Sequence, residues 1–567
     1  MALSNNEILR ILKRTITLLE LNDENTFKIR NYQNAIKALA QYTKPFINLS
    51  QDELAALDGV GKSMAGHVYE LCSSGKLSLY NDLCDKIPIG LIELVDLQGV
   101  GIKKIRQLWQ ELNITDRDEL NEAIEQNKIK NLKGFGEKTQ IAIKNSLLYL
   151  NEQLGKLLLP EALALVEVLK AVINEADPGC RISETGALRR RNEVTECLEL
   201  LVGTTNRPRI IEALDRQSNL EKDKSLSGPF TWRGFLKDEK NRVTVFLCHP
   251  QDFTKKLLMH TGSKLHLSAS IKENQSLLEL IHNKELSEEE DAYRLAEVPF
   301  IIPELREGFY EYKLLQEKQE FTCLERNELH GIIHVHSTYS DGKNTLTELK
   351  DYCKQSGYKY LGITDHSQTA VYANGLDLHK VNQQHEEIDR INQEDSSFKI
   401  FKGIESDILA NGELDYSEDV LKKFDFVVAS IHSGLQMDVN KATERLLRAI
   451  YNPYTTIIGH LTGRILLKRD GYPIDYEKIF QACAKKKVII EINCNPHRMD
   501  LDWRWIGKAL EAGVMLSLNP DAHSLAGLDD LNYGIIAARK GAIPRTSILN
   551  TMSLEEIQKY FRDRITT

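Results

Sequence analysis

The residues of this chain best suited to chemistry stand in six short stretches beyond position 333. They are "HVHSTYSDG" with His334, His336 and Asp341, "ITDHS" with Asp365 and His366, and "KGIES" with Glu405. Then come "ASIHSG" with His432, "IIGHLTGR" with His460, and "NPDAHS" with Asp521 and His523. Imidazoles mixed with carboxylates are a donor set for divalent metals, and the mixture suits Zn²⁺, Mn²⁺ and Fe²⁺ alike. Residues two apart on a strand face the same side, so His334 with His336, and Asp521 with His523, can each chelate one ion. A lone histidine beside an apolar strand is ordinarily a core or surface residue. Two such pairs, with further histidines and acids at the ends of predicted strands, point to a metal site.

Positioning those residues requires strands that end together. From about residue 330, short apolar runs ("YLGIT", "FDFVVAS", "TTIIGH", "VIIEINC", "VMLSLN") alternate with helical windows ("ATERLLRAIYN", "YEKIFQACAKK", "WRWIGKALEAG"). Strand-then-helix order predicts a parallel, barrel-like α/β fold with its site at the C-terminal strand ends. Residues 1–155 read as short helices punctuated by Gly-x-Gly turns, an all-α region. Residues 156–325 mix strand-like stretches ("CLELLVGTT", "NRVTVFLCH") with helical ones, an α/β or α+β domain. "VPFIIPELREGFYEYKLLQEKQEFTCLERNEL" reads as the linker that leads out of it.

At 567 residues, with 42% hydrophobic and 27% charged residues, the chain exceeds a single core and has a globular composition. Its N-terminus lacks the apolar core and small-residue cleavage site of a secretory signal, and no apolar run is long enough to span a bilayer. A cytoplasmic protein is expected. Nine cysteines without a C-x-x-C pair fit neither a disulfide framework nor a thiolate zinc site. A net charge of −9 argues against coating DNA by bulk charge, but leaves local phosphate contacts open.

Three stretches supply such contacts: "LDGVGKSMAGHVYEL" (Gly59, Gly61, Lys62), "LQGVGIKKIRQLW" (Gly99, Gly101, Lys103) and "LKGFGEKTQIAIKNSL" (Gly134, Gly136, Lys138). In each, an apolar residue precedes Gly-x-Gly and a helix carrying an early lysine follows. Glycines permit positive φ and close approach, so turn and helix N–H groups can hold a phosphate oxygen without reading bases. A helical hairpin that merely packs two helices is the alternative for any one of them.

Together with "ENTFKIRNYQNAIKAL", the N-terminal part resembles family X DNA polymerases of the bacterial and archaeal type, which end in a polymerase and histidinol phosphatase (PHP) domain. The resemblance runs essentially the whole chain. It implies helix-hairpin-helix domains over 1–85 and 86–155, a nucleotidyltransferase-like palm and thumb over 156–325, and a distorted (β/α) PHP barrel over 330–567. At the position of the lyase lysine of some members stands His67, with Lys62 nearby. The family's palm motif, G-S-x-R-R-G followed by D-x-D, is matched at Gly186, Arg189 and Arg190. It is broken at Ala187, Arg191, Cys197 and Glu199, with Thr244 where a third acid is expected. Two-metal phosphoryl transfer needs closely spaced carboxylates. The palm therefore reads as degenerate.

For the last domain the resemblance implies the full ligand set: His334, His336, Asp341, His366, Glu405, His432, His460, Asp521 and His523. It further implies three divalent ions (Mn²⁺, Zn²⁺ or Fe²⁺) with Glu405 bridging two of them. Such ions supply an activated water at phosphorus, so no side-chain nucleophile is required. Arg464 and Arg498, in "NCNPHRMD", are candidate phosphate clamps. The expected function is a DNA-binding, metal-dependent phosphodiesterase, a 3′–5′ exonuclease or 3′-end processor in base excision repair, acting on gapped, nicked or 3′-ended DNA. The alternatives are an active repair polymerase with a proofreading PHP domain, a small-molecule phosphatase of the histidinol-phosphatase kind, and a non-catalytic gap-binding protein.

Overall fold

The computed structural model describes residues 3, 5–39, 42, 44–95, 97, 100–237, 241–316 and 323–565. The chain divides into two compact units, Met1–Leu154 and Gly155–Thr567. In the first, apolar residues at helical spacing in Asn5–Leu21, Lys62–Ser74, Ile102–Leu112 and Glu137–Glu152 converge on one core, with Ile8, Leu12, Leu71, Leu108 and Ile143 fully or almost fully buried.

Among the described residues the second unit holds two large sheets, besides two of two strands each. The smaller has strands β1 (Arg181–Glu184), β2 (Cys197–Gly203), β3 (Leu220–Lys222), β4 (Thr231–Leu236) and β5 (Arg242–Cys248), in the order β1-β2-β5-β4-β3. Only the central pair β2–β5 is parallel. Leu198, Leu200 and Val202 alternate toward the helix Leu159–Ala176, while Cys197 and Glu199 face the other side.

The larger sheet has β6 (Gly331–Val335), β7 (Tyr360–Ile363), β8 (Lys399–Asp407), β9 (Phe426–Ser430), β10 (Ile457–Ile458), β11 (Ile489–Asn493) and β12 (Leu516–Asn519), paired in chain order and all parallel. These strands are nearly continuous runs of buried, largely β-branched residues, as a parallel sheet covered on both faces requires. A parallel bridge between Val335 and Ala522 brings the last strand's exit against the first, so the sheet is nearly closed. Barrel and small sheet share one unit because they are bonded together. The buried Lys540 ammonium donates to Glu307 Oε1 (2.8 Å) and Asn192 Oδ1 (2.6 Å), and Arg504 pairs with Glu193 at 2.6 Å.

One buried group gives this unit an acid sensitivity. His385, on the helix Leu378–Glu394, packs edge-on against Phe424, and burial holds its pKa down to about 4. The unfolded chain takes up a proton near pH 6.5, so stability is full above that value and falls as the pH drops toward 4. Unfolding midpoints measured across pH 7 to 4 are expected to fall, and to fall less steeply in His385→Leu.

Candidate metal centre

Each predicted ligand lies at or just beyond the C-terminal end of a barrel strand. His334 is in β6 with His336 following it, His366 comes shortly after β7, and Glu405 is near the end of β8. His432 and His460 stand two residues beyond β9 and β10, and Asp521 and His523 follow β12. Parallel strands in a barrel end on one rim, so residues up to 189 positions apart in sequence become neighbours.

Among the described residues, three overlapping groups present donor atoms within 4.8 Å of one another: His336, Asp341, His366 and His523; His334, His336 and Asp521; and His366, Glu405 and His432. His460 joins them through Nε2, 3.1 Å from Glu405 Oε1. His334 and His336 share one group, as their spacing predicts. Asp521, at φ 52°, and His523 fall into different groups, although His523 Nδ1 lies 3.8 Å from Asp521 Oδ1. His334 (φ 67°) and His460 (φ 23°) are also in the left-handed region, which disfavours side chains other than glycine. Strain of this kind is held by its surroundings and concentrates at functional sites.

The donors fit metal ions better than one another. Nε2 of His334, Nδ1 of His336, His366 and His460, and Oε2 of Glu405 are buried without a hydrogen-bond partner. Orphaned buried polar atoms are rare and costly. His366 Nδ1 comes within 2.9 Å of Glu405 Oε2, but not in hydrogen-bonding alignment. Burial alone would raise the Glu405 carboxyl, but the rings of His432, His366 and His334 outweigh it and hold the group well below the usual carboxylate range. Burial pushes His336 down to about 3, helped by the His523 ring, which leaves its imidazole neutral for coordination.

Residues beyond the predicted set orient these ligands. Buried Glu491 accepts from His334 Nδ1 (2.6 Å) and from the His460 backbone N–H (3.0 Å), and is itself held by the amides of Asn493 and Asn519. Asp407 lies 2.5 Å from His432 Nδ1. Asp365, fully buried, is not a ligand: it accepts from Ser337 and Ser340 and from Gln384, fixing the loop that carries His336 and Asp341. An acid inside the apolar run "VIIEINC" was the sequence signal for Glu491. Because such carboxylate–histidine pairs set ring orientation and basicity, Glu491→Gln is expected to lower metal affinity and hydrolysis by about 10- to 100-fold. Metal titration with parallel rate measurements checks this.

The two arginines differ. Arg464 donates to Asp502 and to the carbonyls of Arg498 and Met499. These bonds make it a strut for the loop after β11 and occupy the guanidinium that the clamp role would use. Arg498 stays at the rim, with Nε 3.9 Å from Asp521 Oδ2.

In the small sheet, the register places Glu199 directly opposite Thr244, and Cys197 Sγ lies 3.5 Å from Thr244 Oγ1. The Glu199 carboxylate folds over Gly186, where a Cβ would collide with Oε2. The neighbouring arginines are engaged internally: Arg189 by Glu289 and Thr261, Arg190 by Glu307 and the Thr261 carbonyl, and Arg191 by Glu184.

In the helical unit, Gly59 (φ 79°) and Gly134 (φ 83°) make the turns that only glycine adopts freely. Gly61, Gly101 and Gly136 directly precede helices, and nothing lies within 4 Å of where a Cβ would stand, so the backbone there is open to close approach. Lys62, Lys103 and Lys138 are exposed. Gly99 lies outside the described residues. His67 bonds to the Tyr32 hydroxyl at 2.8 Å.

Comparison with known proteins agrees with this layout. Residues 3–77 match a helix-hairpin-helix domain, and residues 333–495 match the PHP domain. Fold and centre thus define a multidomain PHP protein with a helix-hairpin-helix region at its N-terminus. "DNA polymerase/3'-5' exonuclease PolX" of Bacillus subtilis (strain 168) is 34% identical over 571 residues, covering 98% of this chain and 99% of that one. The chain belongs to the PolX family of family X DNA polymerases that carry a PHP domain. The barrel region is also similar to smaller proteins described as probable phosphatases. One, from Caldanaerobacter subterraneus subsp. tengcongensis, is 32% identical over 29% of this chain and 66% of its own length. Another, from Thermoanaerobacter sp. (strain X514), is 29% identical over 41% of this chain and 94% of its own.

Proposed function

We propose that this chain is a DNA phosphodiesterase working from 3′ ends, with a palm that holds DNA but does not polymerise. The observation that carries it is the convergence of nine histidines and acids, several with orphaned donor atoms, on one rim of a barrel. Three donor groups support a reading of three ions, of Mn²⁺, Zn²⁺ or Fe²⁺ type, with His336 and His366, each present in two groups, serving one ion apiece. When bound, such ions supply an activated water and neutralise charge at phosphorus. The chain's own residues hold and orient: Glu405 gathers His334, His366, His432 and His460, Glu491 and Asp407 set ring orientations, and Arg498 is placed for a phosphate oxygen.

The helices at 1–85 and 86–155 would grip backbone phosphates, 156–325 would form the palm and thumb, and 330–567 the hydrolase. The palm reading rests on Cys197, Glu199 and Thr244 where the family's three aspartates are expected, which leaves one carboxylate of the three, and on arginines already neutralised by Glu289, Glu307 and Glu184. Among the described residues no helix is long and apolar enough to cross a membrane, and action in the cytoplasm on nucleoid DNA is part of this reading. A 5′-labelled gapped duplex incubated with Mn²⁺, with and without dNTPs, beside a His334→Ala/His336→Ala control, is the test. Shortening that the control abolishes, without extension, is expected. Extension would overturn the palm reading. Inertness on DNA with turnover of small phosphomonoesters would replace the substrate.

A further inference from the structure

The loop that follows β7 carries an aromatic side chain that neither fold nor metal centre uses. Its short helix Val371–Ala373 is anchored on both sides. Ala370 and Ala373 are buried, the Thr369 N–H donates to Asp415 and its hydroxyl to Asp407, and Asn374 Nδ2 reaches the carbonyls of Tyr339 and Ser340. Two further backbone bonds, Ser367 N–H to the Glu405 carbonyl and Leu376 N–H to the His366 carbonyl, tie the loop to residues of the centre itself. On this fixed support Tyr372 is 72% exposed and Val371 82% exposed.

Tyr372 stands beside the site. Its ring centroid is 6.1 Å from that of His366 and 6.5 Å from that of His432. An ordered loop could display polar residues here without loss, whereas a rigid aromatic at the rim of a site offers a flat apolar face to whatever enters. A phosphodiester held at the centre, with Arg498 at the rim, brings with it the base of its own nucleotide, one sugar away. Aromatic side chains bind such bases by stacking, without regard to their identity. A small phosphomonoester lacking a base has no use for that face.

We propose that Tyr372, with Val371 beside it, is the stacking platform for the terminal base of a DNA strand entering the metal centre, an inference that rests on the phosphodiesterase reading above. The platform gives sequence-independent grip on the end nucleotide and favours polymer over small phosphoester.

The test compares wild type, Tyr372→Ala and Tyr372→Trp on two substrates: a single strand with a normal 3′-terminal nucleotide, and the same strand ending in an abasic 3′ residue, a diester without a base at that end. Tyr372→Ala is expected to lose roughly tenfold in kcat/KM on the normal strand, mainly through KM, with a markedly smaller loss on the abasic-ended one. Tyr372→Trp retains activity on DNA. A binding readout needs no turnover: a strand with 3′-terminal 2-aminopurine and a phosphorothioate at its last linkage, which slows cleavage with the metals kept, is quenched by wild type and much less by Tyr372→Ala. Equal activity of wild type and Tyr372→Ala on DNA, or equal losses on both substrates, overturns the platform alone. Turnover of bis(p-nitrophenyl) phosphate by wild type without any shortening of DNA overturns the phosphodiesterase reading, and the platform with it.

Discussion

Glu405→Gln is expected to lower phosphodiester hydrolysis by roughly 10³-fold or more while leaving the fold intact. The side chain keeps its size but loses its charge, and charge is what the geometry demands. Nε2 of His334, His432 and His460 lie 3.4, 3.2 and 3.1 Å from Oε1, and His366 Nδ1 lies 2.9 Å from Oε2. A neutral amide there presents N–H groups toward imidazoles that must offer lone pairs, and removes one of the anionic donors that offset bound divalent charge. Elemental analysis of the purified variant should show lost metal, and 5′-labelled DNA should remain full length. Hydrolysis within tenfold of wild type, with full metal content, would mean that Glu405 does not hold the ions.

Lys540→Met is expected to destabilise the unit 155–567 by about 3–5 kcal/mol. Lys540 has no exposed side-chain surface, and its ammonium serves Glu307, the Asn192 amide oxygen and the Arg190 carbonyl together. Methionine fills much the same volume but leaves those oxygens without a donor, and an unpaired buried carboxylate costs more than the ion pair itself contributes. Arg190 remains beside Glu307 at 3.0 Å and limits the damage. Denaturant unfolding followed by tryptophan fluorescence reads the effect directly, since the Trp503 ring lies 4.4 Å from the Lys540 ammonium. Adding Glu307→Gln should restore part of the loss. A change below 1 kcal/mol would mean that barrel and small sheet are not joined through this lysine.

How far the chain could be read without its structure follows from the range of the forces involved. Residue type and spacing of two act within a strand, so the parallel barrel, the helical hairpins and the candidate ligands could all be named from local patterns such as "HVHSTYSDG" and "NPDAHS". Pairing across the barrel lies beyond that range. Asp521 and His523 are partners by spacing and lie 3.8 Å apart, yet His523 is grouped with His336, Asp341 and His366 and Asp521 with His334 and His336, a division that no local pattern shows. Glu491 in "VIIEINC" had no local mark beyond its charge. It became the support of His334 and His460 only when β11 was laid between β10 and β12.

Long side chains show the same limit. Arg464 and Arg498 looked equivalent as cations near the site. The loop after β11 surrounds Arg464 with two carbonyls and Asp502, while Arg498 stays at the rim. Likewise, the sequence places Cys197, Glu199 and Thr244 where the family's aspartates are expected. Only the register of β2 against β5 and the turn at Gly186 set where the Glu199 carboxylate lies. The sequence by itself determined which chemical groups the protein owns and which short elements carry them, because those are written in neighbouring residues. Which groups face one another was decided by the tertiary structure, because strand order and chain reversal bring together residues that share no local signal.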